Sequence, residues 1–270
     1  MLLFVRPAFA ALLCCLICAC GSGKENAALE VIEQNYQVDP AASIRINDPH
    51  GSIFIHGIDS TEMKLHAMKV AARADQLKNI AVGITAQPND ILIKTNFIRQ
   101  KGKPFLGGGD RVDYDLSIPR TLKITRLDVD DGKVVIESMQ SSELRANVVD
   151  GQLELRNCRG DIHVAVQNGD LSVVSGTDDE TPQPSLTEGH VLHGTLTFSA
   201  PRKASFHLRA ETIYGNITSA FAQTVEVNGG PLHKIDVSSG QSRRSEVQLQ
   251  VMTGNIIIAD TTADARTAGH

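Results

Sequence analysis

The residues best placed to do chemistry are carboxylates: Asp128, Asp130, Asp131, Asp150, Asp161 and Asp170 fall within one stretch of the chain. Paired carboxylates can work as acid and base in glycoside hydrolysis. Stacked ones can hold calcium or raise one another's pKa. Three positions share a finer pattern, because Asp131, Asp150 and Asn168 each stand directly before a glycine. Asp and Asn are common there simply because they tolerate turn conformations, and that plainer account is the one adopted. His190 and His193 are three apart, which on a straight strand puts them on opposite faces. His50 and His56 share a face only by parity, so no metal site is expected. Gly107-Gly108-Gly109-Asp110 is a single glycine-rich run without a Lys-Ser or Lys-Thr ending, and it reads as a turn. No HExxH, GxSxG, CxxC or Walker pattern occurs, so neither catalytic residues nor a cofactor are expected.

The elements that must position these groups follow from one recurring phrase: glycine, a polar residue, an aliphatic, any residue, another aliphatic. It begins at Gly51, Gly132, Gly151, Gly160, Gly169, Gly194 and Gly254, and in weaker form at Gly215, where Ser219 fills the last slot. A period of two marks a strand with one buried face, and the glycine marks a turn. From 132 to 151 is 19 residues, from 151 to 169 is 18, and from 194 to 215 is 21, with 215 to 254 close to two such intervals. Periods near 20 residues belong to stacked-repeat folds, in which a rung is stable only against its neighbours. Asp131-Gly132, Asp150-Gly151 and Asn168-Gly169 are also strong hairpin signals. An antiparallel meander or sandwich therefore satisfies the same pattern. Under either topology Leu153, Leu155, Ile162, Val164, Leu171 and Val173 point into the core, and Gln152, Glu154, Asp161, His163 and Ser172 point out.

The start of the chain carries an address. Residues 1–20 combine Arg6 with an apolar run from Ala8 to Ala19, too short to span a bilayer comfortably. They end in Ile17-Cys18-Ala19-Cys20-Gly21, which resembles the lipobox of bacterial lipoproteins. That resemblance implies cleavage after Ala19, lipidation at Cys20, and an envelope location on the outer membrane if the source is Gram-negative. Cys14, Cys15 and Cys18 would leave with the signal, so Cys158 remains alone and is read as structural. Residues 21–30 read as a tether and 31–260 as one β-repeat domain. Within it, 71–80 could form a short helix and 175–189 is an acidic surface loop. Residues 261–270 read as a disordered tail.

The strand VDYDLSIPRTLKITRLDVDDGKVVIES, the DG/NG-punctuated strands after it, AETIYGNITSAF and VQLQVMTGNIIIA together resemble the bacterial putative-adhesin, β-strand-repeat domain family of unknown function. The resemblance covers most of residues 40–260 and implies a narrow β-solenoid rather than a meander. It implies no catalytic residues. Composition narrows the function further. The net charge is −5, and Arg202-Lys203 and Arg243-Arg244 are the only adjacent basic pairs, which argues against nucleic acid. There is no Trp and there are three Tyr, so the aromatic platforms of sugar-processing grooves are missing. The expected function is a lipid-anchored envelope protein whose non-catalytic surface binds a protein or polysaccharide partner, adhesin-like or linked to envelope stress. The alternative is a β-helical enzyme on an envelope or extracellular polysaccharide.

Overall fold

The structure, a computed structural model, describes residues 27–87, 89–98, 109–176, 186–221, 224–229, 232–240 and 245–261. The chain runs β1 (Ala28–Gln37), β2 (Ser43–His50), β3 (Ile53–Ile58), β4 (Glu62–Ala71), α1 (Ala74–Leu77), β5 (Ile80–Gln87), β6 (Asp90–Phe97) and β7 (Arg111–Pro119). It continues through β8 (Lys123–Glu137), β9 (Leu144–Arg156), β10 (Asp161–Val174), β11 (Leu186–Ala200), β12 (Phe206–Tyr214) and β13 (Ile217–Ser219). The last strands are β14 (Thr224–Gly229), β15 (Leu232–Ser239) and β16 (Ser245–Asp260).

The long strands are the rungs of a β-solenoid. In β9 the buried positions are Leu144, Ala146 and Val148, then Leu153 and Leu155. The inward set is even-numbered before Gly151 and odd-numbered after it. A straight strand keeps one parity, so the flip means that the chain turns a corner at the glycine and wraps the core from a second side. The same flip occurs in β10 at Gly169 and in β16 at Gly254. The two halves face each other: Phe198, after its glycine in β11, packs edge-on against Phe206 of β12 at 5.3 Å between ring centroids.

Pairing decides between the two topologies that the pattern allowed. Strands β8, β9, β10, β11 and β16 pair in parallel, with Gly132, Gly151, Gly169, Gly194 and Gly254 in register. Val129, Val134, Val148 and Leu153 are all buried, as a hairpin would also have them. They are reached by stacking, not by folding back at each Asp-Gly. Among the described residues antiparallel pairing is confined to the ends, where β1 and β7 flank β4, β5 pairs with β6, and β15 lies between β12 and β14.

The order of the rungs departs from the order of the chain. The spacing of the glycines places Gly215 before Gly254, but β16 inserts between β11 and β12, so Gly254 lies between Gly194 and Gly215. Gly160 is a second correction. A Cβ there would meet the Ser141 carbonyl and none of the other phrase glycines, because Gly160 closes the turn that starts β10 at the opposite corner. Ser138 and Asn157, with φ of 60° and 52°, take the left-handed conformation at that same corner.

Three boundaries also move. Ala28–Glu30, at the end of the expected tether, already belong to β1, where they pair with Lys69–Ala71. Leu186–Gly189, at the end of the expected acidic loop, open β11 and pair with β10; the loop's centre, 177–185, lies outside the described residues. The helix expected within 71–80 is one turn, Ala74–Leu77. The expected signal and most of the tail lie outside the described residues, and no helix among those described is long and apolar enough to cross a membrane.

The predicted core is in place: Leu153, Leu155, Ile162, Val164, Leu171 and Val173 are all buried, while Gln152 and Asp161 are exposed. Leu155→Ala is therefore expected to cost about 2–5 kcal/mol through the cavity it leaves. Glu154→Ala, which removes only a surface pair with Arg156, should stay within about 0.5 kcal/mol. Urea midpoints measure both, and equal shifts would show the strand phase to be wrong.

Candidate functional site

Because the rungs are in register, each position relative to the phrase glycine becomes a row running along the stack. The residue directly before the glycine gives the row His50, Asp131, Asp150, Asn168, His193 and Thr253. Stacking in parallel brings Asp131, Asp150 and Asn168 side by side at one corner. Asn168 donates its side-chain amide to Asp150 at 2.7 Å, which relieves the repulsion between adjacent acids. Asp161 stands apart at the opposite corner, and Asp128 and Asp170 belong to other rows. Among the described residues no group of three or more His, Cys, Asp or Glu is placed to hold a metal ion.

The third residue before the glycine builds an inward row: Asp48, Val129, Val148, Val166, Val191, Val251 and Thr212. Five valines are capped at one end by Thr212, whose hydroxyl donates to the Gly254 carbonyl at 3.1 Å. The other cap is Asp48, fully buried. The Thr95 hydroxyl and the His50 amide lie close enough to favour its ionised form, yet neither carboxyl oxygen completes a hydrogen bond of ordinary geometry. Burial is the largest influence, and with Asp113 and Asp130 nearby it raises the pKa to about 8. Tyr114 shares this environment: its hydroxyl meets Thr95 at 2.7 Å, and burial lifts its pKa well above the usual phenol range.

The outward rows of the first-half strands carry the densest polar chemistry. Six positions before the glycine stand Arg45, Arg126, Arg145, His163, Glu188, Gln248 and Arg209 on successive strands, with a bulge near Arg126. Each cation has an acid beside it. Arg45 binds Asp90 at 2.6 Å, Arg126 binds Asp128, Arg145 binds Glu143 at 2.6 Å, and His163 meets Glu188 at 2.7 Å. A recess of about 400 Å³ lies along these rows, lined by Arg126, Asp128, Arg145, Asn147, His163 and Ala165 among others. The arrangement offers alternating donors and acceptors on a rigid parallel sheet. Sequence reading missed these rows because it sought adjacent basic residues; the signal was the constant offset of six from each phrase glycine.

Other candidates resolve quietly. His56 pairs with Glu137 at 2.7 Å, and His50 packs its ring on Phe97. His190 and His193 are both exposed. The Cys158 thiol has the Ile136 and Arg156 carbonyls each at 3.4 Å as acceptors for its single proton, and burial pushes its pKa up to about 11, as suits a structural cysteine. Cys20 lies outside the described residues.

The profile of the Toastrack DUF4097 family matches residues 115–263, which include every rung from β8 to β16. Among solved structures, a putative cell adhesion protein from Clostridium sporogenes is 16% identical, with a TM-score of 0.49, covering 86% of this chain and 100% of its own. A putative adhesin from Bacteroides fragilis is 10% identical, with a TM-score of 0.30, covering 85% of this chain and 97% of its own. No curated protein matches the chain.

Proposed function

The chain belongs to the Toastrack DUF4097 family, and on that premise we propose that it is a lipid-anchored envelope protein whose solenoid is a non-catalytic binding surface for a protein or polymer partner. The observation that carries this reading is the set of outward rows. Arg45, Arg126, Arg145 and His163 repeat one position across neighbouring strands, each beside a carboxylate. Such rows suit extended, repeated contact, whereas catalysis needs a nucleophile, base and charge stabiliser converging on one point. The anchor rests on Ile17-Cys18-Ala19-Cys20-Gly21 following an apolar run. Several acyl chains on one residue hold a protein firmly at a bilayer, and Gly21 after the cysteine fits sorting to the outer membrane of a Gram-negative cell.

Cys20→Ser is expected to abolish incorporation of labelled palmitate and to move the protein from the membrane pellet to the soluble fraction. Unchanged label and fractionation would remove the anchor from the proposal. A photo-crosslinking residue at position 147 should capture an envelope component in living cells, while one at position 172, on the opposite outer face, should not. Turnover of peptidoglycan or polysaccharide by the purified protein, abolished by Asp131→Asn or Asp150→Asn, would establish the enzymatic alternative instead.

A further inference from the structure

We propose that the recess along Arg126, Arg145 and His163 binds a neutral, hydroxyl-rich linear glycan lying across the strands, parallel to the axis of stacking. The inference deepens the surface-binding reading above and rests on it. Neighbouring strands lie about 4.8 Å apart, so a polymer crossing them meets the same two rows again at every rung. One row is Arg45, Arg126, Arg145, His163 and Glu188; the other, two residues nearer the corner, is Asn47, Asp128, Asn147, Ala165 and His190.

The chemistry of these rows suits sugar hydroxyls. A guanidinium offers a planar fork of donors and a carboxylate two acceptor oxygens, and neighbouring hydroxyls on one ring can use both. The arginine ends of these pairs are exposed, with Arg126 and Arg145 side chains 71% and 54% accessible, while Asp128, Glu143 and the His163–Glu188 pair are half-buried. Pairs with one end this exposed contribute little more than about 1 kcal/mol, so turning the Arg126 or Arg145 guanidinium toward a ligand costs little. The balance of charge argues for a neutral polymer, because Asp90, Asp128, Glu143 and Glu188 stand beside the cations and would repel a polyanion. Room comes from Ala165, a small side chain between Asn147 and His190 in a recess of about 400 Å³. A protein partner would be anchored instead by buried aromatic or aliphatic side chains. Among the described residues the large exposed hydrophobics lie off these two rows; Leu192, Ile213 and Met252 come nearest, on the next outward row toward the corner.

Without an aromatic platform each sugar is held by hydrogen bonds alone, and affinity must accumulate from rung to rung. Titration calorimetry of the purified protein with chito-oligosaccharides and cello-oligosaccharides of two to eight residues tests this. One neutral series is expected to show Kd falling by at least roughly tenfold from the dimer to the hexamer. Arg145→Gln and Ala165→Ile, both on the sheet exterior, should each weaken the hexamer by roughly tenfold, with unchanged circular dichroism. Ser172→Ile on the opposite outer face should leave binding unaltered. Absence of binding at every length, tighter binding of polygalacturonate or heparin, or indifference to Arg145→Gln and Ala165→Ile would each overturn the assignment. If the glycans fail while position 147 crosslinks to an envelope protein, the surface-binding reading stands and only the ligand class falls. If position 147 captures nothing either, both fall.

Discussion

Gly151→Ala is expected to destabilise the protein by more than about 4 kcal/mol, in the range that single substitutions rarely reach. A Cβ on Gly151 would stand 1.9 Å from the Gly132 carbonyl oxygen, and the neighbour is backbone that cannot step aside without moving the rung. The residue also has φ of 143°, which an L side chain rarely adopts. The contact is one link in a continuous ladder. Cβ atoms on Gly132, Gly151, Gly169, Gly194, Gly254 and Gly215 would meet the carbonyls of Gly51, Gly132, Gly151, Gly169, Gly194 and Gly254 respectively, all within 2 Å. The corner can be this tight only because no side chain intervenes. Gly83→Ala is the control: its Cβ would find only the Lys94 carbonyl, at an ordinary 3.7 Å, and the shift should stay within about 0.5 kcal/mol. Urea unfolding of both variants measures the contrast. Similar midpoints would show that the corner relaxes and that the ladder does not constrain the stack.

Asp48→Asn is expected to stabilise the protein at neutral and mildly basic pH and to flatten its pH dependence. The carboxyl titrates at about 8 when folded, against 3.8 without the fold. Below about pH 4 both states hold the proton and the group contributes nothing. Between about pH 4 and 8 the unfolded chain releases the proton while the folded chain keeps it, so stability falls as pH rises. Above about 8 both states are ionised and the loss is constant. At pH 7 the difference amounts to about 4 kcal/mol at roughly 1.4 kcal/mol per unit. Asp48→Val should gain at least as much, since it extends the row of Val129, Val148, Val166, Val191 and Val251 by one near-isosteric member. Unfolding midpoints at pH 5, 6.5 and 8 test the sign. The parent should lose stability across the series and Asp48→Asn should not; parallel slopes would show that Asp48 is not the titrating group.

The sequence by itself determined the strands, their buried faces and the corners. Alternation at Leu153/Leu155 and Leu171/Val173 survives in the fold because burial of apolar side chains selects one parity, whatever the partner strand. The glycines were legible for the same reason, since a corner without room for a Cβ leaves a mark on residue type. Partners were not legible. Val148 and Leu153 are buried whether the chain folds back or stacks, so parallel pairing is a property of contacts between rungs. The insertion of β16 between β11 and β12 lies beyond local pattern, because register relates residues separated by the 60 positions from Gly194 to Gly254. Gly160 matched the phrase letter for letter yet serves the opposite corner, since a short motif does not encode which turn of the rung it occupies. The candidate site shows the same division. The offset of six that aligns Arg126, Arg145 and His163 was written in the chain, but it became a surface only once stacking set those residues side by side. Asp48 was marked by position but masked by type: it follows Ile44 and Ile46 in phase and stands three before Gly51, as Val129 stands before Gly132, yet a polar side chain reads as an outward one. Stacking against the first long rung is what buries it fully and makes its carboxyl keep its proton.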